Sequence, residues 1–146
     1  MEKAEILKIV HEKLNLKIKT LEDLISETRA SNNETKSSMG DKYETTREMV
    51  QQEINNLQVQ LNENLKAKNS LKLIQMSPSQ KVGFGSLVET STGLFYITVS
   101  LGNIDFNEKK IFLISPESPL AKAMINHKNS EEFSLNNVEQ IIKNIW

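Results

Sequence analysis

Helix breakers are spread unevenly along this chain, and their placement restricts the folds open to it. From Met1 to Met76 there is no proline, one glycine (Gly40) and one aromatic residue (Tyr43). From Ser77 onward come all three prolines, four glycines and seven aromatic residues. A stretch free of breakers except near its middle reads as helix, turn, helix, whereas the second half has the grammar of strands and turns. The boundary falls at Met76-Ser77-Pro78-Ser79, because the residue before a proline tends to leave helical geometry. The expected organisation is therefore a helical domain over 1–76 and a β-rich domain over 77–146.

Apolar residues in the first half recur at helical spacing. Leu7, Val10, Leu14, Leu21, Leu24 and Thr28 form one stripe, with Lys17 as its polar interruption, and Val50, Ile54, Leu57, Leu61 and Leu65 form another. Narrow stripes on otherwise polar helices suit two helices packed on each other as an antiparallel coiled-coil hairpin. The turn-forming run from Ser31 to Gly40 breaks the pattern, so the hairpin tip is expected near 31–44. A second helix from about Lys42 to Gln75 would be roughly 50 Å long, longer than a small domain is wide, and the hairpin is expected to project.

In the second half, Ser86–Thr90 and Leu94–Val99 flank Ser91-Thr92-Gly93 as a β-hairpin, and Lys110–Ile114 is a short buried strand. Pro119–Ile125 reads as a short helix with Ser118 as its N-cap and Pro119 at its first position. Glu132–Leu135 is a further strand. The segment Val138–Trp146 fits a helix face through Val138, Ile141, Ile142 and Ile145, and also a strand in which Ile141 and Ile145 alternate with Lys143; a strand is expected. Trp146 is expected to close the core of the β-rich domain. The fold class is thus α+β, a helical hairpin followed by a small antiparallel sheet with one short helix.

Composition narrows the function. With no cysteine there are no disulfides, thiolate metal sites or thiol nucleophiles, which fits a reducing, cytoplasmic setting. The two histidines, His11 and His127, have no second ligand at metal-binding spacing. A formal net charge of −1 gives no general attraction to nucleic acid, so contact with RNA or DNA should be local or made through a partner. The charged start lacks the apolar core of a signal peptide, and Ile111–Ile114 is far too short to span a membrane.

Gly40-Asp41-Lys42-Tyr43-Glu44 stands where the hairpin turns. Two carboxylates three apart at a helix start lie on nearly one face. They approximate a capping box and complement the positive end of the helix. They could equally be presented to a partner, since a capping carboxylate keeps free lone pairs. Tyr43 could stack on a base or cover the apolar side of the tip. His11, beside the Val10 stripe, reads as a surface or seam residue. Lys109, Lys110, Lys122 and Lys128 are candidates for a basic docking surface, although isolated surface charges contribute little each.

These segments resemble the bacterial Gre transcript-cleavage factors. The tip matches their Gly-Asp-x-x-Glu. Val82-Gly83-Phe84-Gly85-Ser86-Leu87-Val88 resembles their opening strand in the C-terminal domain, and Ile114-Ser115-Pro116-Glu117-Ser118-Pro119-Leu120-Ala121-Lys122-Ala123-Met124-Ile125 resembles their Ser-Pro-containing helix. The matches lie in the right order and span nearly the whole chain. The resemblance implies an FKBP-like C-terminal domain that docks on RNA polymerase while the hairpin enters the secondary channel. It implies that Asp41 and Glu44 help hold a second Mg²⁺, shared with the polymerase, and orient the water that hydrolyses a backtracked RNA 3′ end. Two metals suit phosphodiester hydrolysis, and Mg²⁺ takes a few carboxylate oxygens plus waters. On this reading the chain is an accessory factor, expected to act as a monomer, not an enzyme alone, and it meets RNA and DNA only through the complex.

The sequence also departs from the family. After Glu44 the usual Asn-Ala-Glu-Tyr is replaced by Thr45-Thr46-Arg47-Glu48, so a basic residue stands at an acidic position. After the short helix the usual Gly-Lys is replaced by Asn126-His127-Lys128, with Asn able to take a left-handed turn. The first change favours an alternative, a channel-binding regulator of polymerase without cleavage stimulation. A coiled-coil chaperone or scaffold is a further alternative, opposed by the charges of the tip. A prolyl isomerase is suggested only by analogy of fold.

Overall fold

A computed structural model describes residues 1–34 and 41–146, and the side chains of 32–34 and 41–45 lie outside the description. The two breaker-free stretches are long α-helices, α1 (Lys3–Glu34) and α2 (Asp41–Leu71). They are followed by β1 (Leu87–Thr90), β2 (Gly93–Ile97), β3 (Gly102–Phe106), β4 (Lys109–Ile114), α3 (Pro119–Met124), β5 (Glu132–Leu135) and β6 (Val138–Ile145). The architecture is a coiled-coil-like helical hairpin followed by a sheet domain with one short helix. By internal contacts the chain forms two compact units, Leu14–Lys68, and Met1–Lys13 together with Asn69–Trp146.

The buried stripe of α1 runs through Ile6, Val10, Leu14, Ile18, Leu21 and Ile25. This corrects the expected stripe. Leu7 is only half-buried, Lys17 is exposed, and Leu24 keeps 42% of its surface. The α1 sequence offers two adjacent apolar rows, and the row without a lysine is the one that packs. An ammonium in the seam would lose its hydration with no partner. On α2, Ile54, Leu57 and Leu61 are buried as expected, whereas Val50 is half-buried and Leu65 is 40% exposed. Of these, Leu14, Ile18, Leu21, Ile25, Ile54, Leu57 and Leu61 belong to the Leu14–Lys68 unit. Each full burial is worth about 1.5–3 kcal/mol.

The strands form one six-stranded sheet in the order β3-β4-β2-β1-β6-β5. The β1–β2 hairpin closes at Thr90↔Gly93 over the two-residue turn Ser91-Thr92. One pair departs from the expected antiparallel sheet. β2 and β4 run parallel, with Phe95 opposite Phe112, their rings stacked at 5.6 Å between centroids. The parallel pairing is possible because β3 lies in the connection, and β4 folds back between β3 and β2. β3 itself was not expected from the sequence. It is joined to β4 by Asn107-Glu108, both at positive φ, as are Asn136-Asn137 between β5 and β6. Two successive positive-φ residues are what a tight hairpin turn of matching twist requires.

The C-terminal segment is a strand, but its inward face differs from the expected one. Ile142 is fully buried and Gln140 nearly so, while Ile141 is 43% exposed. The cause is an irregularity in the β1–β6 register: Glu89 pairs with Asn144 and Thr90 with Ile142, leaving Lys143 as an extra residue. An inserted residue flips the parity of a strand, so Ile142 and Ile145 face the same core. That core joins Val82, Val88, Ile97, Ala121, Met124, Phe133 and Ile142 beneath α3. Ser118 caps α3 by accepting a hydrogen bond from the Ala121 amide at 3.2 Å.

The opposite face of the sheet buries Leu87, Leu94, Tyr96, Ile111 and Leu113. In the same compact unit Ile6, Val10 and Leu71 are 0–1% exposed and available to cover it. Two ammonium groups tie α1 to this domain: Lys3 Nζ donates to the Trp146 carbonyl at 3.0 Å, and Lys13 Nζ donates to the Asn103 carbonyl at 2.8 Å. Gln140 is held by hydroxyls of the β1–β2 turn, with Thr92 Oγ1 donating to its Oε1 at 2.8 Å. That satisfies a polar group which would otherwise be costly to bury.

Candidate hairpin tip and docking surface

α2 begins at Asp41, so the helix start falls where the sequence places the tip motif. The side chains of Asp41, Tyr43 and Glu44 lie outside the described residues, and so does Gly40. The first described side chains beyond them are Thr46, which is exposed, and Arg47, which is half-buried. The Arg47 Nε is shielded from solvent and has no hydrogen-bond partner among the described residues. Residues three apart in a helix are neighbours. A guanidinium at 47 therefore places positive charge one turn from position 44, which works against gathering a further cation there. Among the described residues no group of three His, Asp or Glu side chains could hold a metal ion.

The four candidate docking lysines lie on different elements. Lys109 and Lys110 open β4 next to the β3 edge, where Lys110 pairs across the ladder with Asp105. Lys128 lies towards the other end of the sheet, since Ser130, two residues on, donates its amide to the Ile142 carbonyl of β6 at 2.8 Å. Lys122 is exposed on α3. The structure adds a residue that sequence reasoning missed. Lys81 forms an isolated antiparallel bridge with Lys128. No local pattern in the sequence marks a pairing between residues so far apart. Asn126 takes the left-handed conformation expected of it, at φ 65°. His127 is half-buried, its Nδ1 3.1 Å from the Met124 carbonyl and its ring edge-on to Phe133.

Burial moves two titratable groups on this unit. Desolvation holds the Lys3 ammonium below the usual lysine range. Desolvation also pushes the Tyr96 hydroxyl up to about 12, and that oxygen has no hydrogen-bond partner among the described residues.

No family model and no curated protein matches the chain. Solved structures do. GreA factor homolog 1 (Gfh1) of Thermus thermophilus is 19% identical, with 93% of this chain and 94% of that one covered and a TM-score of 0.38. A structure of the transcription factor Gfh1 is 17% identical over 92% of each chain, TM-score 0.37. Gfh1 of Thermus aquaticus is 18% identical over 92% of each chain, TM-score 0.36.

The expectation that Asp41 and Glu44 stimulate cleavage is corrected here. The matched structures are those of Gfh1, described as a GreA factor homolog. The shared Mg²⁺ was implied only through the cleavage reading. Among the described residues, no helix is long and apolar enough to cross a membrane.

Proposed function

We propose that this chain is a Gre-like regulator that binds RNA polymerase through its secondary channel and does not stimulate RNA cleavage. One observation carries the reading: the ordered succession of a breaker-free helix pair, the Val82–Val88 entry to a sheet and the capped helix following Ile114. Each motif alone is common, and their order over a chain of this length is not. Arg47, a cation within one turn of the tip carboxylates, supports a regulator over a cleavage factor. It makes the tip a weaker collector of metal, for the reason of helical spacing given above. The helix pair supplies length, and the sheet domain supplies a folded surface for docking. No reaction step is assigned to the chain's own residues.

The test is a binding assay between the full chain and core RNA polymerase, with an RNA-cleavage assay on backtracked complexes run beside it. Binding with no rise in the cleavage rate is expected. A chain that fails to bind the polymerase would end this reading.

A further inference from the structure

We propose that a row of side chains running from Phe112 to Gln140, on the sheet face that carries α3, grips an extended segment of the polymerase through a bulky aliphatic side chain and a neighbouring backbone carbonyl. The identity of the partner rests on the reading above. Residues directly opposite each other in a ladder share a face. Phe133 and Ile142 belong to the core beneath α3. Gln140 stands opposite Phe133, and Thr90 stands opposite both Ile142 and Gly93. Phe95 packs against the same core and stands opposite Phe112. The row therefore crosses four neighbouring strands, β4, β2, β1 and β6, on one face. Contacts join it from end to end. The Phe112 and Phe95 rings stack, and a Cβ on Gly93 would lie 3.8 Å from Phe112 Cε2 and 3.9 Å from Phe95 Cε2, so both ring edges border bare glycine backbone. Beside Gly93, Thr90 Oγ1 donates to Gln140 Oε1 at 3.4 Å.

The two ends of the row differ in what they lack. Phe112 keeps 37% of its surface in solvent, so α3 does not cover the aromatic end. Gln140 is only 7% exposed, and its Oε1 accepts from the Thr90 and Thr92 hydroxyls. Its Nε2 donates to no described residue and is not shielded from solvent. A side-chain amide carries two N–H donors. Here the amide is oriented through its oxygen, so an acceptor that meets it has little side-chain freedom left to freeze. A neutral acceptor next to an apolar group is what a peptide backbone with an aliphatic side chain offers. From the ring edges at Gly93 to β6 the row spans about two strand spacings, roughly 10 Å, which is the reach of about three extended residues. Ile141 is the internal contrast. It is 43% exposed but adjoins Gln140 in the strand, so it lies on the opposite face, paired with Glu132.

The experiment uses the full chain, with Phe112→Ser and Gln140→Glu as test variants and Ile141→Ser as control. Gln140→Glu keeps Oε1 for the two hydroxyls and replaces the free donor by an acceptor. Circular dichroism checks that each variant folds. In the wild type, the capped peptide acetyl-Gly-Leu-Gly-Leu-Gly-amide is expected to move the backbone NMR signals of Gly93 and Phe112 and the side-chain amide signal of Gln140. The polar peptide acetyl-Gly-Ser-Gly-Ser-Gly-amide is expected to leave them in place. Polymerase binding should weaken about tenfold in Phe112→Ser and about fivefold in Gln140→Glu, with Ile141→Ser unchanged. Peptide shifts that are absent, or the same with both peptides, overturn the site. Polymerase binding equal in the wild type and Phe112→Ser overturns it as the polymerase contact. Peptide shifts along the row with no polymerase binding by the wild type keep the site and end the reading of function instead.

Discussion

Gly85 gives the sharpest stability prediction. Its φ is +85°, and a Cβ built there would lie 3.0 Å from Ile74 Cγ2 and 3.2 Å from Ile74 Cγ1. For Gly85→Ala, the left-handed backbone costs about 1–2 kcal/mol. The loss of unfolded-state freedom returns about 0.4–1 kcal/mol. Moving a half-buried isoleucine by a few tenths of an ångström adds to the cost, so the net destabilisation should be about 1–2 kcal/mol. In a unit of this size that lowers the melting temperature by roughly 5–15 °C. Gly83→Ala, two residues away, is the control. It meets no atom within 4 Å and needs no positive φ, so it should be neutral or stabilising by up to about 1 kcal/mol. Thermal unfolding followed by circular dichroism reads both. Adding Ile74→Ala to Gly85→Ala separates the steric part from the backbone part, because the double variant should recover only the former. Equal melting temperatures for wild type and Gly85→Ala would refute the reasoning, since neither the conformation nor the contact would then be as described.

Further predictions follow from the same structure. Ile18→Ala should destabilise the helix pair by about 2 kcal/mol or more in urea unfolding, whereas Leu24→Ala should stay within about 0.5 kcal/mol; the reverse order would restore the row through Leu7 and Lys17. In an alkaline absorbance titration, Tyr96 should ionise near 12 rather than at 10. Because its folded pKa lies above the unfolded one, its contribution is intact below pH 10 and is lost as the pH rises through 10 to about 12. Tyr96→Phe should remove that step and leave stability at neutral pH unchanged or slightly higher; a loss above about 1 kcal/mol would mean that the hydroxyl has a partner.

The sequence made some of this fold legible and hid the rest for identifiable reasons. The helix pair, the β1–β2 hairpin and the Ser118 cap follow from local signals: breaker-free periodicity, a turn between alternating segments, and Ser-Pro at a helix start. The α1 seam was displaced by a residue because Ile6 and Leu7, like Leu24 and Ile25, are adjacent and equally apolar. Only Lys17 distinguishes the two rows. β3 escaped notice because Gly102-Asn103-Ile104-Asp105-Phe106 has few strand-forming residues and owes its pairing to β4. In β6, ordinary alternation pointed to Ile141. The extra residue at Lys143, set by pairing with β1, turned Ile142 inward instead. At the candidate docking surface, Lys128 could be singled out by its charge, but Lys81 becomes its neighbour only through a long-range bridge. The tip motif is legible as Gly40-Asp41-Lys42-Tyr43-Glu44. The side chains that would carry its chemistry lie outside the described residues, and Arg47 departs from the family's acidic position.

Transcript-cleavage kinetics on a stalled, backtracked complex saturated with the chain separate a polymerase-binding regulator from a cleavage factor. A complex that co-migrates with the chain and shortens its RNA no faster than the polymerase does alone is expected. Faster shortening that disappears in Asp41→Asn or Glu44→Gln would contradict it.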